Sequence, residues 1–321
     1  MPGPATATRH AQLRYILKDP LGQGGMGVVY RAFDTEVKRD VALKTLQRSE
    51  DLSALDMFRK ECAALASLNH PFIVDIYDIG ELDVAGERRP FFVMPLLRGM
   101  TLDKLIYAPS SKLTIERVVE IVGQVCRCLD AAHGAKLIHR DLKPSNIFVL
   151  EGDTVKIIDF GVACMVDQRT TMAIKGTLYY MAPEQLEMKP VTPLSDIFSL
   201  GVVCYEALAR RRPFEGVSRE DIARAILMHL PPPVSDFNPT VSRTMSQVIH
   251  KAIAKKPWLR FQSAREFAEA LQKALRNEPI ETFDEARFRP RIVRAKKAVE
   301  EAQYEFANEI LTELEAESID P

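Results

Sequence analysis

From Leu13 to Met94 the apolar residues arrive in short runs separated by turn-forming residues. The segments "VVYRAF" and "DVALKTL" are rich in β-branched, aromatic and aliphatic side chains, which pack well on a pleated surface, so they predict strands. The runs "FIVDIYDIG" and "PFFVMPLL" read the same way. One interruption has a different period. In "LDMFRKECAALASLNHP", Leu55, Phe58, Cys62 and Leu65 recur at spacings of three and four, which wind into one stripe of a helix, and Pro71 follows its end. Pro95 and Gly99, in "MPLLRG", break regular structure. Beyond them the helical period takes over in "TIERVVEIVGQVCRCLDAAHG", "SDIFSLGVVCYEALARR", "REDIARAILMHL", "TMSQVIHKAIAKK" and "SAREFAEALQKAL". The pattern predicts an α+β chain. Residues 1–11 are expected to be a flexible N-terminus, and one domain over 12–276 is expected to divide into a small β-rich lobe (12–94), a hinge (95–98) and a larger helical lobe (99–276). Residues 277–321 form a separate tail in which "RIVRAKKAVEEAQ" and "YEFANEILTELEAES" read as two amphipathic helices joined by a tight turn.

Composition changes this picture little. At 321 residues, 46% hydrophobic and 27% charged, the chain can bury a large core. A net charge of −1 implies no global attraction to nucleic acid or anionic membrane. The tail differs: 12 acids against six bases, with no base in its last 19 residues. Cys62, Cys126, Cys128, Cys164 and Cys204 form no CxxC pair and have no His partners at zinc-ligand spacing, so buried reduced thiols are expected. "MPGPATATRHAQ" lacks the apolar core of a signal peptide. The most apolar stretch, "FSLGVVCYEALA", is too short to span a bilayer and contains Glu206. A cytoplasmic protein with no membrane span is the expectation.

The chemistry-bearing segments are more specific. "LGQGGMGVVY" sets Gly22, Gly24 and Gly27 in a G-x-G-x-x-G array. A dinucleotide site needs a helix to start at the glycines, whereas "VVYRAF" favours a strand, and a Walker loop needs Lys where Val28 stands. A hairpin lid over a nucleotide remains, its N–H groups free to approach phosphate oxygens; the bland alternative is a Gly-rich turn. "VALK" puts Lys44 on the next strand, and Glu61 on the following helix is placed to pair with it. Then come "HRDLKPSN" at 139–146, six polar or charged side chains between the apolar runs "LI" and "IFVL", and afterwards "VKIIDFG" and "GTLYYMAPE".

These elements, in this order over residues 13–276, resemble the eukaryotic-type (Hanks-type) protein kinases, with the flavour of bacterial Ser/Thr kinases in "GQGGMGVVYRAFD" and "LNHPFIVDIYDIGE". The resemblance implies the bilobal protein kinase fold and transfer of the γ-phosphate of ATP to Ser or Thr hydroxyls of proteins. It implies that Asp141 accepts or orients the hydroxyl proton, that Lys143 steadies the γ-phosphate, and that Glu61 holds Lys44 against the phosphates. Asn146 and Asp159 would hold Mg2+, with Mn2+ as an alternative. The nucleotide would lie beneath Leu21, Gly22, Gln23, Gly24, Gly25, Met26, Gly27, Val28, Val29 and Ala42, against Met94, Pro95 and Leu97, and above Phe148. Pro95 departs from the usual acidic residue there, but the carbonyl is the group needed, so ATP binding is expected to survive. Lys143, two residues after Asp141, and Thr177 point to Ser/Thr acceptors.

Arg140, before Asp141, resembles the arginine of kinases switched by a phosphate between "DFG" and "APE", which makes Thr170 and Thr171 candidate autophosphorylation sites; a merely solvated loop is the alternative. Glu184 and Arg260 are expected to pair structurally, and His139 is expected to be a core histidine without chemistry. Ala295, Tyr304, Ala307, Leu311 and Leu314 fall roughly where a tetratricopeptide hairpin keeps small and apolar residues. An amphipathic hairpin that caps the large lobe is the alternative; a tail-mediated protein partner and a homodimer stay open, and no nucleic-acid partner is expected. The rival class, a pseudokinase scaffold, sits poorly with the presence of Lys44, Asp141 and Asp159 together.

Overall fold

The computed structural model describes residues 14–24, 27–46, 68–84, 86–109, 113–158, 178–279, 285–301 and 303–317. The helix expected around Glu61, the loop tip at Gly25 and Met26, the segment holding Asp159, Phe160, Thr170 and Thr171, and Thr177 all lie outside these residues. The chain divides into two compact units. The first comprises Met1–Leu105 and Arg127–Thr177, the second Ile106–Cys126 and Leu178–Pro321.

In the first unit five antiparallel strands, β1 (Tyr15–Gly24), β2 (Gly27–Asp34), β3 (Arg39–Leu46), β4 (Asp78–Val84) and β5 (Glu87–Pro95), form a sheet in the order β1-β2-β3-β5-β4. Side chains alternate across a strand. One face therefore carries Val41, Leu43 and Val93, packed with Tyr15, Ala32, Leu82 and Phe91 into a buried apolar core. The other carries Ala42, Lys44, Phe92 and Met94, also buried. Both faces being covered explains why "VALKTL" shows no polar alternation.

The glycine array lies across the first hairpin, with Gly24 opposite Gly27, and a strand rather than a helix follows it. Gly27 is the position that must be glycine. Its φ is +148°, and a Cβ there would lie 1.8 Å from the Thr45 carbonyl oxygen.

A second sheet, β6 (Gly99–Thr101), β7 (Ile147–Leu150) and β8 (Val155–Ile157), is antiparallel in that order. The strand expected over "FIVDIYDIG" starts late, at Asp78. Its first residues serve β8 instead: Ile157 donates its N–H to Phe72 O (2.8 Å), and Val74 donates to Ile157 O (3.1 Å). Apolar content alone does not say which neighbour a strand chooses. The short helix α1 (Leu102–Tyr107) and α2 (Ile115–Gly134) follow β6.

The second unit is helical: α3 (Pro183–Leu186), α4 (Pro193–Ala209), α5 (Arg219–Met228), α6 (Arg243–Ala252), α7 (Ala264–Leu275), α8 (Glu285–Glu300) and α9 (Tyr304–Glu317). Serine caps start three of them. Ser218, Ser242 and Ser263 accept from the N–H groups of Asp221, Met245 and Glu266 and so satisfy donors with no partner inside the helix. Helix α4 is buried from Ser195 to Leu208. Its apolar character serves a protein core, and no helix among the described residues is long and apolar enough to cross a membrane. Gly201 lets α6 approach closely: a Cβ there would lie 2.8 Å from that of Ala252. Cys126, Cys128 and Cys204 are buried and in no disulfide, whereas Cys62 and Cys164 lie outside the described residues, and burial pushes Cys204 up to about 12, which leaves it unreactive. The first tail helix begins at Glu285 rather than Arg291.

Candidate active site

The polar octet at 139–146 is a tightly folded loop in the first unit, anchored by the apolar residues beside it. Leu142 and Ile147 are buried, and His139 is buried with them. Asp141 donates its backbone N–H to His139 O (2.9 Å), and Pro144–Asn146 make a 3-10 turn closed by Asn146 N–H to Lys143 O (3.0 Å). Ile158 donates to Asn146 O (2.9 Å), which ties the loop to the strand after it. Arg140 has φ 67°, a left-handed conformation costing a non-glycine residue on the order of 1 kcal/mol or more, held here by its surroundings.

The side chains then converge on Asp141. Lys143 Nζ lies 2.7 Å from Asp141 Oδ2, and Asn146 Nδ2 donates to Asp141 O (2.8 Å) and Oδ2 (3.3 Å). Asp141 Oδ1 is buried and has no hydrogen-bond partner among the described residues. Leaving a buried carboxylate oxygen without a partner costs free energy, so the atom stands ready to accept from a group outside the described residues. Because Asn146 uses its NH2 group on Asp141, the oxygen of its amide faces elsewhere, and oxygen is the donor that hard divalent cations take. Among the described residues no cluster of three or more His, Cys, Asp or Glu is found, and Asp159 lies outside them.

The sheet supplies a second group of expected residues. Lys44 stands opposite Val29 on one side and Phe92 on the other, and Ala42 stands opposite Met94. Directly paired residues share a face, as do residues two apart, so Val29, Ala42, Lys44 and Met94 line one face of the sheet. Lys44 is 7% exposed, with its Nζ 5.9 Å from the centroid of the Phe92 ring. Leu21, Gly22 and Gln23 are exposed on the glycine hairpin, Val28 is paired with Thr45, and Pro95 closes β5 against Val41. The N–H of Leu97, just after β5, has no partner among the described residues. Phe148 is half-buried in β7, between Thr101 and Lys156. Glu61, Gly25, Met26, Asp159, Thr170 and Thr171 lie outside the described residues.

Residues 15–275 match the family model of the protein kinase domain. The chain belongs to the protein kinase domain family. Among its relatives, a probable serine/threonine-protein kinase of Streptomyces coelicolor is 38% identical over 274 residues, covering 83% of this chain and 41% of that one. The serine/threonine-protein kinase PknB of Mycobacterium tuberculosis is 36% identical over 283 residues, 86% of this chain and 45% of PknB. The chain thus spans less than half the length of these relatives. The crystal structure of the M. tuberculosis PknI kinase domain superposes with a TM-score of 0.65 at 27% identity, covering 82% of this chain and 96% of that one.

Two polar clusters of the second unit belong to this kinase fold's framework. Glu184 accepts from Arg260 at 2.7 and 2.8 Å and from Ser195 at 2.7 Å, the pair expected from sequence. The second was not anticipated. Glu206, buried in α4, accepts from Tyr107 and Tyr180, each at 2.5 Å, with Arg212 Nε at 3.3 Å. Burial and the adjoining Glu206 raise both phenols above their ordinary value. A glutamate within the apolar run Phe198–Ala209 is the signal the sequence offers, since a buried charge needs a partner.

Proposed function

We propose that the chain is an ATP-dependent serine/threonine protein kinase, and the bare, buried Oδ1 of Asp141 is the observation that carries this reading. Phosphoryl transfer needs an aligned hydroxyl and positive charge around the phosphates, with little covalent work from the protein. Oδ2 of Asp141 is pinned by Lys143 and Asn146, which fixes the carboxylate's orientation and leaves Oδ1 to receive the hydroxyl proton of the acceptor residue. Lys143, two residues on, would meet the transferring phosphoryl oxygens, and Lys44 would supply a second fixed cation. The glycine hairpin offers backbone N–H groups to phosphate, and the Leu97 N–H with the Val29, Ala42 and Met94 face accepts the base. Asn146 and Asp159 would hold Mg2+, or Mn2+ in its place, and the cation would neutralise charge between the phosphates.

Family membership and the names of the relatives support the same activity class, with proteins as substrates. Thr170 and Thr171 are proposed as autophosphorylation sites whose phosphates would meet Arg140, and the cytoplasm as the place of action. The Thr170→Ala, Thr171→Ala double variant should fail to gain activity on preincubation with ATP; if it activates like the parent, the switch is refuted. For the activity itself, the full chain is incubated with ATP, magnesium and a basic protein acceptor, and the product is mapped by mass spectrometry. Phosphoserine and phosphothreonine are expected. Phosphotyrosine alone, or no phosphorylation, would overturn the assignment.

A further inference from the structure

The cluster around Glu206 holds more donors than its carboxylate needs. Oε1 accepts from the Tyr107 phenol and Oε2 from the Tyr180 phenol, so both oxygens of this buried group are used before any cation is counted. Arg212 adds one long contact, its Nε–H to Oε1 at 3.3 Å. Its guanidinium also lies over the Tyr179 ring, 4.0 Å from the centroid, and beside the Tyr180 phenol. A guanidinium carries five N–H donors in a planar fork. Beyond Glu206 and Tyr180 no acceptor for them is found among the described residues, and the side chain is 35% exposed. The fork is held, yet its spare donors are open. Charge nearby favours an anion: Arg210, Arg211 and Arg212 stand against Glu206 and Glu215, and Glu215 is itself paired with Arg211 at 2.9 Å. Tyr179 belongs to the 3-10 turn Leu178–Tyr180, which Ser199 fastens to α4 by donating its hydroxyl to Tyr180 O at 2.7 Å. In the chain Tyr179 is two residues from Thr177, whose type points to a Ser or Thr acceptor, and two residues span at most about 7 Å.

We propose that Arg212, resting on Tyr179, is a specificity-determining residue that takes an anionic side chain, carboxylate or phosphate, flanking the Ser or Thr acceptor of the protein substrate. The inference rests on the proposed kinase activity and adds what the substrate must carry. A carboxylate or phosphate presents two oxygens at the spacing of the guanidinium fork, so it can accept two parallel charge-assisted hydrogen bonds. Glu206 and Tyr179 orient the fork before the substrate arrives, which lowers the entropy lost on binding. Glu206 is buried and Arg212 already offsets its charge, so it does not repel the ligand as a bare carboxylate would. A Lys or Arg at the same substrate position would face Arg212 and be rejected.

The test is a set of acceptor peptides phosphorylated by the full chain with ATP and magnesium, in which each flanking position carries in turn Asp, phosphoserine, Asn or Lys. At one position the parent should favour an anion over Asn by about tenfold in kcat/KM and disfavour Lys. Asp against phosphoserine tells which anion the fork takes. In Arg212→Gln the ratio of the anionic peptide to its Asn twin should fall toward one, and in Arg212→Lys, which keeps the charge without the fork, it should fall part-way. Any general damage through Glu206 or Tyr180 acts on both peptides and cancels in the ratio. A parent indifferent to charge at every position, or either variant keeping the parental ratio, would overturn the inference and leave the activity standing. If no peptide at all is phosphorylated, the activity falls and the inference with it.

Discussion

Glu184 and Asp141 are both carboxylates at 5% exposure, and each has a basic nitrogen 2.7 Å away, yet their surroundings are finished to different degrees. Around Glu184 every lone group is used. Arg260 points two N–H groups at its two oxygens and its other three at the carbonyls of Ala254, Leu194 and Lys255, so all five guanidinium donors are satisfied in a buried site. Around Asp141 one oxygen is held by Lys143 and Asn146 and the other is left bare among the described residues. A saturated buried pair locks a fold, because removing either member strands the other in low dielectric. An unsaturated one keeps an acceptor ready for a ligand and gives up some stability to do so. In this chain the difference would separate framework from chemistry, although both carboxylates are bracketed by similar charges.

If that contrast holds, substitutions should divide stability from turnover. Arg260→Met should have the largest effect on stability, lowering it by about 3–5 kcal/mol in denaturant unfolding, because Glu184 and three carbonyls lose their donors. Adding Glu184→Leu should recover only part, since the carbonyls of Ala254, Leu194 and Lys255 stay unpaired.

Acid gives a milder probe. Burial opposes the charge on Glu184, but Arg260 and Ser195 hold its carboxyl below the ordinary 4.5, so its contribution is complete above about pH 4.5 and is lost as pH falls through the folded value. Burial likewise depresses His250 below 6.5, so the unfolded chain takes up that proton first and stability begins to fall on acidification below about 6.5. Melting temperatures measured from pH 8 to 2 should therefore fall first below about 6.5 and again in strong acid, and Arg260→Met should reduce the second loss. Ser195→Ala, which removes one hydrogen bond of three to Glu184, should cost about 1–2 kcal/mol by the same unfolding measurement, and a neutral result would mean that Arg260 alone satisfies the carboxylate.

How far the sequence alone reveals these features depends on how local their causes are. The grouping of Val29, Ala42, Lys44 and Met94 came from family resemblance, and the two-residue alternation of strands is the physical reason the structure finds them on one face. The octet was readable as a rigid polar loop because its anchors, Leu142 and Ile147, lie within or beside it. The Glu184 partnership with Arg260, 76 positions away, came from family resemblance, and no local pattern contains it. Glu206 shows the limit. Its tyrosine partners lie 99 and 26 residues from it, and a charge in an apolar helix announces that a partner exists without saying which. The choice of β8 by Phe72 and Val74 was illegible for a related reason, since hydrophobic runs specify burial more strongly than pairing.

The smallest expected effect on stability accompanies the largest on turnover, in Asp141→Asn. This change keeps the size of the side chain and removes the charge at the bare oxygen. One paired measurement on the full chain, the melting temperature and the rate of phosphate transfer from ATP to a protein acceptor, tests the account most directly. The melting temperature should be unchanged or slightly higher, while the rate falls by about 10²–10³, the loss of roughly 3–4 kcal/mol of transition-state stabilisation. A variant that unfolds as readily as Arg260→Met, or one that transfers phosphate at the parental rate, would contradict the assignment of Asp141 as the unsaturated, reacting carboxylate.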